Sequence, residues 1–414
     1  MEKKRVVITG MGVLTPVGNN VKDTWDAVLA GKSGIGLITQ FDVTAYPTKI
    51  AGEIKNFDAS EVMEKKEIRR TPGFIQYALK AAKEAVEMSG LENASINKDR
   101  VAVIVGSGIG GISVMEEQYK ILTEKGPSRV SPFFIPMMII NMAGAYISMR
   151  YGYRGPNYGI VTACASGTHA FGEGAKMIIR GDADVAVVGG VESAVGPLGL
   201  AGFCSAKSLS QRNGDPTTAS RPFDKDRDGF VMADGAGILV LESLEHAKAR
   251  GANIIAEYAG YGASDDAYHM VAPPEDGAGG VLCMKNALAD AGIKPEQVDY
   301  INAHGTSTNL NDKTESRIIR EVFGAHANKV MISSTKSMTG HMLGATGAVE
   351  TVMCALSCKY DVVHPTINQF TTDPECGLDY VPNVKREAVI NYAASNSLGF
   401  GGHNATIIVK KYKE

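Results

Sequence analysis

Three chemically capable residues of this chain sit in turns rich in small residues. Cys164 lies in Val161-Thr162-Ala163-Cys164-Ala165-Ser166-Gly167, and a run without proline follows from Thr168 to Arg180. A cysteine where a strand gives way to a helix meets free backbone N–H groups at the positive end of the helix dipole. That position is expected to lower the thiol pKa toward neutrality and supply a thiolate nucleophile. A lone free cysteine is more often a small buried residue without chemistry. The counter-argument lies downstream. His304 sits in Asn302-Ala303-His304-Gly305-Thr306-Ser307-Thr308, and His341 closes Lys336-Ser337-Met338-Thr339-Gly340-His341. Both follow strand-like runs, where α/β folds place their sites. A cysteine with one histidine suits many hydrolases and acyltransferases. A cysteine with two is narrower, because two neutral imidazoles can each donate N–H to one thioester oxygen and hold an enolate without a metal.

The elements that must position these residues alternate between strand and helix. Val6–Gly10, 101–105 and 184–188 are continuous apolar runs, the pattern of strands covered on both faces. Met11–Asn20 reads as a loop, whereas Val21–Ala30 and Leu79–Met88 read as helices, the latter closed by Gly90. The alternation predicts a mostly parallel sheet sandwiched by helices. An internal repeat is also visible. Residues 83–91 resemble residues 285–293, each a helix ending in glycine and followed by a strand and a glycine-rich turn. The small-residue stretch from Thr162 to Gly174 is echoed from Thr335 to Gly347. Glycines there weaken an isolated helix, so the return must be close packing at the centre. Two related halves are expected, residues 1–250 carrying the cysteine and residues 251–414 carrying the histidines, with two helix N-termini converging.

Composition bounds the rest. With 414 residues, 44% hydrophobic and 21% charged, the chain is that of a water-exposed globular protein with a large core. A net charge of -3 gives no electrostatic case for nucleic acid or a membrane surface. The start shows no signal-peptide pattern, and residues 133–149 are too short and interrupted to span a bilayer. The six cysteines lack zinc-site spacing, and Cys354 and Cys358 read as helix core, so a cytoplasmic setting is expected. Two motifs are decoys. Gly106-Ser107-Gly108-Ile109-Gly110-Gly111 fits a dinucleotide fingerprint but lies far from a first βα turn and lacks the acidic partner. Asp224-Lys225-Asp226-Arg227-Asp228-Gly229 opens like a calcium loop, but Gly235 stands where the bidentate glutamate belongs. It is read as a polar loop braced by its own Asp/Arg pairs.

The stretches 162–167, 302–308 and 336–350, with Asn396-Ser397-Leu398-Gly399-Phe400-Gly401-Gly402-His403-Asn404, resemble the elongating β-ketoacyl-acyl-carrier-protein synthases. The resemblance runs from Arg5 to the end. It implies a thiolase-like, five-layered αβαβα fold of two pseudo-symmetric halves. It also implies decarboxylative condensation of an acyl thioester with a malonyl thioester in fatty acid elongation, without an organic cofactor. By the same resemblance Cys164 takes the acyl chain, and His304 and His341 hold the malonyl carbonyl. Lys336 sets charge and geometry with Glu350. The N–H groups of Cys164 and Phe400 form an oxyanion hole, with the Phe400 side chain gating the cysteine. Thr306 and Thr308 touch the phosphopantetheine arm, against the plain alternative of turn capping. Ile109, Phe133, Ile135 and Phe203 line the acyl pocket, against plain core. Asn302, Ala303, Glu350, Ser395 and Asn396 surround a structural Na+ or K+.

Lys65, Lys66, Arg69 and Arg70 include i,i+4 pairs on one helix face, a solvated face by default. In the family such residues dock an acidic acyl carrier protein, with Lys125, Arg129 and Lys207 as further candidates. The chain departs from many relatives at Ala233-Asp234, where they carry Gly-Glu, and at His403, where they carry Thr. The alternatives are a free-standing ketosynthase of polyketide or specialised-lipid assembly and a non-catalytic chain-length factor, which lacks the cysteine. Initiating synthases pair cysteine with His and Asn, and nothing here recruits water for a hydrolase. A homodimer is expected, on the argument that the small-residue helix and the strand at 184–188 would otherwise be exposed.

Overall fold

The computed structural model describes residues 4–413. Its largest sheet has ten strands: β1 (Val6–Leu14), β2 (Val101–Gly106), β3 (Asn157–Ile160), β4 (Val185–Glu192), β5 (Gly235–Ser243), β6 (Ala256–Asp265), β7 (Tyr300–Asn302), β8 (Met331–Ser333), β9 (Tyr392–Gly399) and β10 (His403–Lys410). They run in the order β8-β7-β9-β10-β6-β1-β5-β4-β2-β3. Read outward from the centre, β1-β5-β4-β2-β3 and β6-β10-β9-β7-β8 follow the same path. The directions match too. In each set the inner two pairings are antiparallel and the outer two parallel, and β1 meets β6 antiparallel between them. The sheet is therefore mixed, not mostly parallel. Long antiparallel partners such as β5 and β10 look the same in sequence as buried parallel strands, because both are apolar on two faces. Met11–Leu14, read as loop, continues β1; its glycines pack against another backbone. A Cβ on Gly12 would sit 1.9 Å from the Ala81 carbonyl oxygen.

Four helices complete the layers: α1 (Gly73–Ser89), α2 (Ser166–Arg180), α3 (Ala278–Ala291) and α4 (Thr346–Tyr360). α1 covers β1, β5 and β4 from outside, and α3 covers β6 and β10. α2 and α4 pack on each other and on strands of both sets, which makes five layers, αβαβα. α4 is buried on every face from Thr346 to Cys358, the mark of a helix with no solvent side. Its closeness to α2 depends on missing side chains. A Cβ on Gly347 would lie 1.8 Å from Thr168 Oγ1, and one on Gly167 would lie 2.8 Å from the Gly344 carbonyl oxygen.

The dimer argument from exposure fails within one chain. The strand at 184–188 belongs to β4, fully buried between β2 and β5, and α2 is largely buried. The open edge is β3, where Tyr158 is exposed, with Val161 exposed just beyond it. Among the described residues no helix is long and apolar enough to cross a membrane.

Candidate active site

α2 and α4 start in the same way. Each is preceded by a 3-10 turn, Ala163–Ala165 or Leu343–Ala345, whose first residue has a positive φ of 48° or 45°. Such angles cost a non-glycine residue about 1–3 kcal/mol and persist only where packing imposes them. The turns put Cys164 and Gly344 in equivalent places, a register that the sequence echo at 162 and 335 does not reveal. Gly344 N donates 3.0 Å to Glu192 Oε2, so the second turn has become a structural tie while the first carries the sulfur.

Cys164, His304 and His341 all line one cavity of about 480 Å³, together with Ile109, Phe203, Thr306, Thr308, Leu343 and Phe400. The two imidazoles meet edge to face, 5.3 Å between centroids at 85°. His341 Nδ1 pairs with Thr346 Oγ1 at 3.1 Å, and its ring packs edge-on to Phe230. The His304 turn hangs from α-helix Asn309–Phe323, where the buried Glu315 accepts His304 N and Gly305 N at 2.8 Å each. His304 Nδ1 has no hydrogen-bond partner among the described residues.

The electrostatics depart from expectation at the sulfur. Burial pushes the Cys164 thiol up to about 12; the Lys336 charge pulls the other way, as do the N–H groups of Phe400 and Cys164 itself, while Glu192 adds to the rise. Cys164 is 8% exposed, so the cost of a bare thiolate outweighs the helix terminus, and the resting form is the thiol. Both histidines lie well below the usual imidazole range, through burial and then the nearby Lys336 charge, and so stay neutral. Lys336 Nζ sits 2.6 Å from Glu350 Oε1, with both side chains almost wholly buried. Glu350 Oε2, Asn302 Oδ1 and Ser395 Oγ are buried without partners among the described residues. The Asn396 side chain is already committed, accepting from Thr406 and donating to Glu315.

The remaining candidates divide. Ile109 and Phe203 line the cavity, and Phe203 lies 6.3 Å from the Phe400 ring. Phe133 and Ile135, expected in the acyl pocket, are exposed at 43% and 54% and do not line it. They ride on a helix of only five residues, Phe134–Met138, and Arg70 covers the Phe133 ring at 5.1 Å. Thr306 and Thr308 hydrogen-bond each other at 2.9 Å, and Thr308 makes no side-chain cap although it is the N-cap residue. Lys207 is exposed on the cavity rim. Lys65, Lys66, Arg69, Arg70, Lys125 and Arg129 are exposed and do not line the cavity.

Both decoy motifs have internal occupants. The N–H groups of Gly108 and Ile109 donate to Glu192, at 2.7 and 3.1 Å, so a carboxylate of the chain fills the anion cradle. In the calcium-like loop, Asp224 Oδ2 accepts Phe370 N and Thr371 N at 2.7 Å, and Arg227 pairs with Asp373 at 2.6 Å. Sequence reasoning missed Glu192 and Glu315. Glu192 had one signal, an acidic residue closing an otherwise apolar strand. Glu315 had none beyond its place eleven residues after His304.

The Beta-ketoacyl synthase N-terminal domain family matches residues 3–247, and the corresponding C-terminal domain family matches 255–370. A curated relative from Coxiella burnetii, named 3-oxoacyl-[acyl-carrier-protein] synthase 2, is 53% identical and covers 99% of both chains. One of the same name from Synechocystis is 50% identical over 100% of this chain and 99% of its own. Among solved structures, a chain from a type II PKS acyl-carrier protein in complex with its ketosynthase superposes with a TM-score of 0.93. It is 36% identical and covers 99% of this chain and 100% of its own. A Beta-ketoacyl synthase from Burkholderia phymatum gives a TM-score of 0.92 at 33% identity, with the same coverage. With a thiol and two neutral imidazoles on one cavity of an αβαβα fold, and a buried lysine charge acting on all three, this chain belongs to the beta-ketoacyl synthase family.

Proposed function

We propose that this protein condenses an acyl-acyl-carrier-protein with a malonyl-acyl-carrier-protein, giving 3-oxoacyl-carrier-protein and CO2 in fatty acid elongation. The observation that carries the reading is one sulfur and two neutral imidazoles on a single cavity, with the N–H groups of Cys164 and Phe400 at the sulfur. Cys164 Sγ attacks the acyl thioester carbonyl, the N–H groups of Cys164 and Phe400 take up the developing oxyanion, and the carrier thiol leaves with the proton. A thiol held near 12 suits this step, because the proton passes from one sulfur to the other and no free thiolate need accumulate. The malonyl thioester then loses CO2. Neutral His304 and His341 donate N–H to the enolate oxygen, which protonated rings would instead quench. The carbanion attacks the acyl-cysteine, the carbon–sulfur bond breaks, and the released thiolate takes a proton. Burial, with the Lys336 charge adding to it, keeps both rings neutral, and Glu350 holds Lys336.

Thr306 and Thr308 would guide the phosphopantetheine arm down the cavity. Lys65, Lys66, Arg69 and Arg70 would dock the acidic carrier, with Arg129 and Lys207 assisting. The halves 1–250 and 251–414 would each supply one side of the site; positions 1–3 and 414 lie outside the described residues. A homodimer would form at the open edge of β3, since an unpaired edge with exposed apolar side chains invites a second strand. The three unpartnered oxygens of Asn302, Glu350 and Ser395 fit a monovalent cation, with the Ala303 backbone and Asn396 around them. Melting in K+ against choline chloride reads it without activity. The six free cysteines accord with the reducing cytoplasm. Identity near 50% to relatives named synthase 2, against 36% to the polyketide ketosynthase, favours fatty acid over polyketide assembly.

Mass spectrometry after mixing with an acyl-carrier-protein tests the reading. The acyl mass should appear on Cys164 and vanish in Cys164→Ala, and malonyl-carrier-protein should discharge it as a product two carbons longer. A protein that takes no acyl group would refute it.

A further inference from the structure

We propose that Glu192 is a positioning residue that latches the Ser107–Gly110 turn to the Leu343–Gly344 turn, and thereby sets how readily the site admits a long acyl chain. The inference rests on the condensing reading above. Glu192 closes β4 and is wholly buried. Its Oε1 accepts from Ser107 Oγ at 2.9 Å, Ile109 N at 3.1 Å and Gly110 N at 3.3 Å. Its Oε2 accepts from Gly108 N at 2.7 Å and Gly344 N at 3.0 Å. One carboxylate therefore joins two turns that are more than 230 residues apart in the chain. Each turn carries a wall of the site, Ile109 from the first and Leu343 from the second.

Ile109 also lines a second, apolar hollow of about 510 Å³ beside Met138, Ile140 and Val161. It is the partition between the two spaces. A short chain fits beside Cys164 without disturbing it, whereas a long chain must move Ile109 to reach the hollow. Moving Ile109 strains the hydrogen bonds to Glu192, which are charge-assisted and therefore strong. The turn is anchored on its other flank as well, since a Cβ on Gly110 would meet Ile140 at 2.6 Å. A glutamine at 192 keeps the shape but presents an amide N–H₂ to donors that need an acceptor, and so loosens the turn. Burial pushes the Glu192 carboxyl up, while the Ser107 hydroxyl and the backbone N–H groups of Gly108, Gly344 and Ile109 pull the other way.

The test compares kcat/KM for acylation of Cys164 by hexadecanoyl- and by hexanoyl-carrier-protein. Glu192→Gln should raise the long-to-short ratio about tenfold, the scale of losing a charged hydrogen bond. Ser107→Ala removes one donor and should shift the ratio the same way by about threefold; it serves if Glu192→Gln does not fold. In an Ile109→Ala background Glu192→Gln should leave the ratio within about twofold, because the two residues act through one element. A merely structural role would lower both rates together and leave the ratio unmoved. An unmoved ratio in Glu192→Gln and in Ser107→Ala, or an equal change without Ile109, overturns the latch. Failure of the native protein to be acylated by either donor would instead overturn the condensing reading, and the latch with it.

Discussion

Lys336→Met tests whether the buried cation is a working part of the site. Lys336 Nζ and Glu350 Oε1 are 2.6 Å apart at 1% and 0% exposure, and Glu350 Oε2 already lacks a partner. Removing one member of such a pair leaves a buried charge uncompensated and costs about 3–5 kcal/mol, whereas replacing both with apolar groups is often near neutral. Lys336→Met should therefore lose about 4 kcal/mol at pH 8, and Lys336→Met/Glu350→Leu should recover all but about 1–2 kcal/mol of it. The pH dependence has a definite sign. Without the lysine, burial holds the Glu350 carboxyl above its unfolded value, so the folded state binds a proton that the unfolded state releases. The variant should regain stability relative to the native protein as pH falls from 8 to 6. Urea unfolding followed by the single tryptophan, Trp25, buried at 7% exposure, gives both numbers. The recovered double variant should still alkylate Cys164 more slowly than the native protein, because the lysine charge that lowers the thiol is gone. A loss below about 1 kcal/mol for the single variant, or a loss that grows on acidification, would refute the argument.

Three further outcomes are expected. Iodoacetamide modification of Cys164 should accelerate about tenfold per pH unit from pH 7 to 10, as a thiol near 12 requires, and a plateau below pH 9 would contradict the burial argument. Gly347→Ala should lower the melting temperature severely or prevent folding, since its Cβ would lie 1.8 Å from Thr168 Oγ1; Gly36→Ala meets nothing within 4 Å and should change stability by less than about 0.5 kcal/mol. Lys65→Glu/Arg69→Glu should raise KM for carrier-bound substrate and flatten its salt dependence, with acylation from a small thioester unaffected; unchanged kinetics would remove the docking surface.

The chemistry was legible in the chain because it is written locally. A cysteine before a run of small residues and two histidines in glycine turns mark strand ends in any fold that buries such strands. The echo of small residues was legible only in part: read from Thr335 to Gly347, it stops two residues into α4 and misses the register that matches Cys164 with Gly344. Strand direction was not legible, because a strand covered on both faces has the same composition whichever way its neighbours run. The ionisation of Cys164 was misjudged for a deeper reason. A helix N-terminus is a property of sequence, but desolvation depends on everything packed around the sulfur. The same holds for Glu192 and Glu315, whose partners come from other turns. Residue types and turns are dictated by neighbours in the chain; what each group feels is dictated by neighbours in space, and burial and charge act only through those.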